Sequence, residues 1–165
     1  MKTMFESKNC HLLHKEAVRL VNNSLPGSVE IDSLMGYKTS YHIRWNDVKL
    51  LVKVARPSRK FSQPRAKWFY ALREKDHEAT DFFILLALLE SRLEAIYVIP
   101  KVFAPAVYIT ITKLDGNMRY SYFRTDIQNI AAKIIELQGK LPKLMEVFKE
   151  AKVLRGGNYE IRKSL

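Results

Sequence analysis

The sequence predicts an α/β protein, in which a sheet of at least five strands is set between an N-terminal helix and a helical C-terminal region. Three observations point there. Apolar residues near the N-terminus recur at helical spacing, the middle of the chain alternates with period two or runs wholly apolar, and the last third returns to helical spacing. At 165 residues the chain falls within the range of one domain, expected over 1–155 with a basic tail over 156–165. It is long enough to bury a core without a disulfide or metal staple, and Cys10, the only cysteine, agrees.

The elements follow in order. Leu13, Ala17, Leu20 and Val21 mark one face of a first helix, which Pro26-Gly27 stops. Val29 to Ser33 reads either as a short strand or as an irregular connection. Tyr41, Ile43 and Trp45 alternate with polar residues, as do Val48, Leu50, Val52 and Val54, and Asn46-Asp47 between them suits a two-residue hairpin turn because both tolerate positive φ. Trp68, Phe69, Tyr70 and Leu72 form an aromatic strand. Arg73 to Thr80 is a polar turn with His77 in solvent, and Phe82 to Leu89 is a strand covered on both faces. Ala95 to Ile99, ended by Pro100, and Tyr108 to Thr112 complete the sheet. Thr125 or Asp126 caps a helix that buries Ile127, Ile130, Ala131, Ile134 and Leu137 and ends at Gly139; Pro142 opens a last helix. The stripe Leu141, Leu144, Met145 and Phe148 on that helix is core, or a homodimer contact if the sheet is already covered.

The remaining signal is charge. Lys and Arg number 28 against 17 Asp and Glu, a formal excess of +11, which favours a polyanionic partner. The excess is concentrated: Lys53, Arg56, Arg59, Lys60, Arg65, Lys67 and Arg73 fall in one stretch without Asp or Glu, and its prolines, serines and glutamine make most of it a loop. No apolar run approaches the ~20 residues that cross a bilayer, so no membrane partner is expected. Met1 to Cys10 carries no secretory apolar stretch, so the expected location is the reducing cytoplasm. No dinucleotide or P-loop fingerprint occurs, and Gly156-Gly157 lacks the strand and helix that a phosphate cradle needs. His11 and His14 stand one helical turn apart but without a third ligand nearby, and read as surface residues. Cys10 lies too near the terminus to be aligned with a base as a nucleophile. Trp68, Phe69 and Tyr70 offer a stacking platform to unpaired bases, although alternation turns at least half of them into core.

A two-residue turn at Asn46-Asp47 also fixes register. Trp45 faces Val48, Ile43 faces Leu50, His42 faces Leu51 and Ser40 faces Lys53. One face then carries Tyr41, Ile43, Trp45, Val48, Leu50, Val52 and Val54, which is core. The other carries Ser40, His42, Arg44, Lys49, Leu51 and Lys53, a polar strip running into the Arg56 to Lys67 loop.

The succession of helix, hairpin, LVKVA strand, basic loop, WFYAL strand, polar turn, DFFILLALLE strand and IYVIP strand resembles the PD-(D/E)xK, restriction-endonuclease-like superfamily over roughly Leu13 to Thr112. The resemblance implies a mixed central sheet flanked by helices and divalent-metal phosphodiester hydrolysis. It places the motif lysine at Lys53, the acidic residue two positions earlier at Leu51 and the aspartate of the preceding strand at His42; a helix glutamate, as in some members, would be Glu16. Leucine offers no ligand, and a neutral imidazole suits softer metals than Mg²⁺. Arg44, Lys49 and Lys53 on the same face repel a dication and attract a phosphate. The expectation is a nucleic-acid-binding protein with a degenerate centre, holding double-stranded DNA through Arg44, Lys49, Lys53, Arg56, Arg59, Lys60, Arg65 and Lys67, with no metal ligand and no cofactor. One alternative is an active Mg²⁺-dependent endonuclease in which Lys53, Glu16 and His42 act catalytically and carboxylates such as Glu30 or Asp32 have migrated. Another is a non-catalytic interaction or immunity-type module whose basic surface meets an acidic protein.

Overall fold

Period-two alternation on both sides of Asn46-Asp47 demands a tight hairpin, and the chain makes one, with Asn46 at a φ of +53°. A computed structural model describes residue 5 and residues 8–31, 41–60, 65–105, 107–113 and 120–155, with side chains through residue 147. In chain order its elements are α1 (Cys10–Ser24), β1 (Val29–Glu30), β2 (Ile43–Trp45), β3 (Val48–Ala55), β4 (Lys67–Ala71), α2 (Glu74–Ala79), β5 (Phe82–Leu89), β6 (Arg92–Pro100), β7 (Tyr108–Thr112), β8 (Arg124–Thr125) and α3 (Ile130–Arg155). The expected hairpin register holds for Ile43 with Leu50 and Trp45 with Val48. His42 does not pair with Leu51 in the ladder but lies before β2 with its amide on the Leu50 carbonyl at 2.9 Å, and the expected Ser40–Lys53 pair lies outside the described residues.

The central sheet has six strands in the order β1-β2-β3-β5-β6-β8. β3 and β5 run parallel and the other pairs antiparallel, so the sheet is mixed. Phe82 to Leu88 is buried throughout, as an apolar run covered on both faces should be. α1 packs on β3 and α3 on β6, and the two helices touch each other. α1 starts at the Asn9 cap, whose Oδ1 accepts from the His11 and Leu12 amides at 2.9 and 3.3 Å, and it buries Leu13, Ala17, Val18 and Val21. The loop after it is pinned by the Trp45 indole, which donates to the Pro26 carbonyl at 2.9 Å.

Three expectations change. The aromatic strand and Tyr108–Thr112 do not join the central sheet. They pair with each other as a separate β4–β7 ribbon. The reason lies in their buried polar tips: Trp68 Nε1 donates to the Leu88 carbonyl at 2.7 Å and the Tyr70 hydroxyl to the Leu86 carbonyl at 2.8 Å, so the ribbon packs against β5 instead of extending its ladder. The polar turn from Arg73 to Thr80 contains the helix α2, whose start is held by Asp76 Oδ2 accepting from the Arg73 amide at 3.0 Å. His77 on that helix is half-buried, bonded to the Pro105 carbonyl at 2.9 Å and set edge-on to Phe83 at 5.0 Å. Finally, the two expected C-terminal helices are one. Asp126 caps a 3₁₀ turn (Ile127–Asn129) that runs into α3, and α3 continues through Gly139 and Pro142. The apolar face is unbroken there: Leu137 and Leu144 are buried and Leu141 packs against the same core, so side-chain burial outweighs the missing proline amide. Residues 156–165, expected as a basic tail, lie outside the described residues. No helix among the described residues is long and apolar enough to cross a membrane.

Candidate nucleic-acid interface

The site begins at an interrupted strand edge. β2 begins at Ile43 while β3 runs on to Ala55, so among the described residues no strand lies beside the N–H and C=O of Val52. Two imidazoles take the strand's place. His42 Nδ1 accepts from the Val52 amide at 2.9 Å, and His14 Nε2, reaching from α1, donates to the Val52 carbonyl at 3.0 Å. The two rings meet edge to face with centroids 4.4 Å apart. His14 is thus packed into the fold, not left on the surface as its helical spacing with His11 suggested; His11 is exposed. These bonds also assign the tautomers: His14 carries its proton on Nε2, and neutral His42 carries its own on Nε2 because Nδ1 accepts. Burial is the main reason the His42 pKa falls to about 3, with His14 and Lys53 pushing the same way. The His14 pKa is lowered by burial too, with help from Lys53 and His11 and against the bond to Val52. Together with Lys15, Val18, Arg19, Glu30 and Ile31 the rings line a cleft of about 340 Å³.

Lys53 follows Val52, and its half-buried ammonium stands 4.0 Å from Asp76 Oδ2. Nothing in the sequence pattern pointed to Asp76, which arrives from α2 and is fully buried. Arg73 holds it in a bidentate grip, Nε to Oδ2 and Nη2 to Oδ1 at 3.1 Å each, with the Arg73 amide adding a third bond to Oδ2. Burial by itself would raise the Asp76 pKa, but the Arg73 bonds and the nearby Lys53 outweigh it and the carboxyl is held below its ordinary value. Burial lowers the pKa of Lys53, and Asp76 opposes that shift. Leu51, expected on the polar strip, is buried: its register partner Phe83 meets the His77 ring, so α2 lies over this part of the face.

These residues do not fit Mg²⁺. A magnesium ion needs oxygen ligands, and both oxygens of Asp76 already accept hydrogen bonds from one guanidinium. Leu51 has no donor atom, and the accepting nitrogen of His42 is used by the backbone. Glu16 is exposed and opens on a separate groove with Phe5, Leu12 and Arg19. Glu30 reaches the histidine cleft; Asp32 lies outside the described residues. Among the described residues no group of three His, Cys, Asp or Glu side chains is placed to hold a metal ion.

The surrounding surface is cationic. Arg44 and Lys49 are exposed and sit directly opposite each other in the β2–β3 ladder, with the Lys49 ammonium 5.6 Å from the Tyr41 ring centre. Like charges in that position destabilise a sheet. Arg56, Arg59, Lys60 and Arg65 are exposed along the connection from β3 to β4, and Lys67, at the start of β4, is half-buried. Of the aromatic trio, Trp68 and Tyr70 are buried and Phe69 is exposed, as alternation required.

No family model matches the sequence, and no curated protein matches it. Among solved structures, that of a bacterial homing endonuclease, I-Ssp6803I, aligns with a TM-score of 0.52, covering 81% of this chain and 97% of that one at 16% identity. At that identity the likeness is one of fold, and the fold of this chain, a mixed central sheet flanked by helices, is nuclease-like.

Proposed function

We infer that the protein binds nucleic acid, duplex DNA in the first place, on a nuclease-like fold whose hydrolytic centre is degenerate. The observation that carries this reading is the set of side chains around Lys53. A lysine remains, a histidine and a leucine stand where the resemblance calls for carboxylates, and the buried Asp76 beside it is tied to Arg73. The Arg44–Lys49 pair supports it further, because a cross-strand repulsion is relieved when a phosphate sits between the two cations. The likeness in fold to a homing endonuclease agrees with a nucleic-acid partner.

Affinity on such a surface comes from phosphate contacts and counterion release, so it must fall with salt. Filter binding of duplex DNA across a salt series is expected to give a clearly negative slope of log K against log salt. Replacing Arg59, Lys60 and Arg65 together by alanine should make that slope shallower by roughly 2 to 3. Lys53→Ala should weaken binding only modestly, since its ammonium is half-buried beside Asp76. A flat salt series for the unaltered protein removes the reading. Supercoiled plasmid incubated with Mg²⁺ or Mn²⁺ should stay intact; nicking that disappears in Glu30→Gln would show instead an active centre built in the histidine cleft.

A further inference from the structure

The β4–β7 ribbon has an inside and an outside. Ala66, Trp68, Tyr70 and Leu72 alternate inward with Ile109 and Ile111, and all are buried. Lys67, Phe69 and Ala71 turn outward opposite Thr112, Thr110 and Tyr108. On this outer face Phe69 is 47% exposed and Tyr108 59%, and Val107 beside them is 68% exposed. Large apolar side chains gathered on one narrow strip mark a surface that something else covers.

Charge says what covers it. Arg59, Lys60 and Arg65 are exposed in the segment that leads into the Lys67 end of the ribbon, and no carboxylate occurs between Lys53 and Arg73. A second copy of this chain, docked about a two-fold axis, would set these cations against their own images. A polyanion would not. Shape narrows the choice further. A two-stranded ribbon fits the major groove of B-DNA, about 12 Å wide, and five-residue strands reach about 17 Å along it. The ribbon is held for that role from behind by the Trp68 and Tyr70 bonds to β5. Its pairing is prolonged past both ends by the Leu72 amide on the Val107 carbonyl at 2.8 Å and the Lys113 amide on the Ala66 carbonyl at 3.0 Å. Phenylalanine, alanine and threonine are also the side chains whose carbon atoms meet the 5-methyl group of thymine in that groove.

We propose that the outer face of β4–β7 enters the major groove of duplex DNA and reads thymine-containing base pairs, with Phe69 and Tyr108 against the thymine methyls, while Arg59, Lys60 and Arg65 hold flanking phosphates. This rests on the nucleic-acid reading above and deepens it: phosphates supply affinity, and the ribbon supplies sequence preference.

The experiment is fluorescence anisotropy with the full chain on two duplexes, one enriched by the protein from a random pool and one of scrambled sequence. The double variant Phe69→Ala, Tyr108→Ala is expected to lose about tenfold or more of the preference for the enriched duplex, with the salt slope unchanged. Uracil in place of thymine in the enriched duplex should weaken the unaltered protein and leave the double variant indifferent. Ile135→Ser, which removes a 60% exposed side chain from α3, should change neither quantity. Both ribbon side chains are exposed, and unchanged circular dichroism and thermal unfolding would verify that the double variant folds. Full preference in a folded double variant, or indifference of the unaltered protein to uracil, overturns the ribbon proposal alone. So does a double variant that dissolves a dimer seen by sedimentation yet keeps its DNA preference. Absence of salt-dependent binding by the unaltered protein overturns both readings together.

Discussion

Because the amide and carbonyl of Val52 are bonded by imidazole nitrogens, His42 and His14 are structural groups before they are anything else, and their titration is linked to folding. The His42 pKa falls from 6.5 to about 3 and that of His14 is also lowered, so between those limits the unfolded chain holds more protons than the folded one. Stability is then fully present above pH 6.5 and is lost as the pH falls towards the folded value. About 1 to 3 kcal/mol should disappear between pH 6.5 and about 4.5. In His42→Asn, Oδ1 takes the position of Nδ1 and accepts from Val52 without titrating, so denaturant unfolding across that window should show a shallower decline; an unchanged decline would mean that His42 does not drive it. Asp76 makes a second test. Asp76→Ala removes the acceptor of the Arg73 fork and leaves the half-buried Lys53 ammonium without its counter-charge. Unfolding free energy should drop by about 2 to 3 kcal/mol, and the Lys53 pKa should fall further, since burial lowers it and Asp76 opposes that shift.

Turns and short helices decide how much of each element can be read in advance. The β2–β3 hairpin was legible because strict alternation and Asn-Asp agree on one register. The β5–β6 hairpin carries no such signal: Glu90 and Ser91 form its two-residue turn at φ values of +51° and +63°, a primed geometry that favours Asn-Gly. Two L-residues strained in this way predict that Glu90→Asn with Ser91→Gly will stabilise the fold by about 1 to 2 kcal/mol, measured by urea unfolding; the Ser91 carbonyl bond from the Phe5 amide, 2.7 Å, survives because it is backbone. α2 escaped notice for a different reason. Six residues are too few for helical periodicity to show, and the Arg73–Asp76 fork that starts the helix is a side-chain contact with no apolar pattern of its own. Asp76 therefore stayed invisible as a neighbour of Lys53, from which it is separated by the whole β4 excursion. The His14–His42 pair was hidden likewise, since His14 read as a surface residue and His42 as a lone strand residue, and only the packing of α1 on β3 brings them together.

At the scale of the molecule, a +11 chain pays for its surface in self-repulsion, and the register puts part of that repulsion at a known place. Arg44 and Lys49 face each other across β2 and β3 on the surface proposed to meet phosphate. Lys49→Gln should therefore raise the stability of the free protein by about 0.2 to 1 kcal/mol while weakening its hold on DNA, the opposite signs expected where a surface is shaped for a partner and not for stability. Added ligand should reverse the balance. A duplex present at about 100 times its Kd stabilises whatever state binds it by about 2.7 kcal/mol, which in a chain of this size moves the melting temperature by roughly 5–10 °C. Thermal unfolding with and without duplex is expected to show that rise at low salt, a smaller rise for Lys49→Gln, and its disappearance as salt screens the phosphate contacts. A rise that persists undiminished at high salt would place the binding energy in apolar contact instead of charge, and an unchanged rise in Lys49→Gln would take the Arg44–Lys49 pair out of the interface.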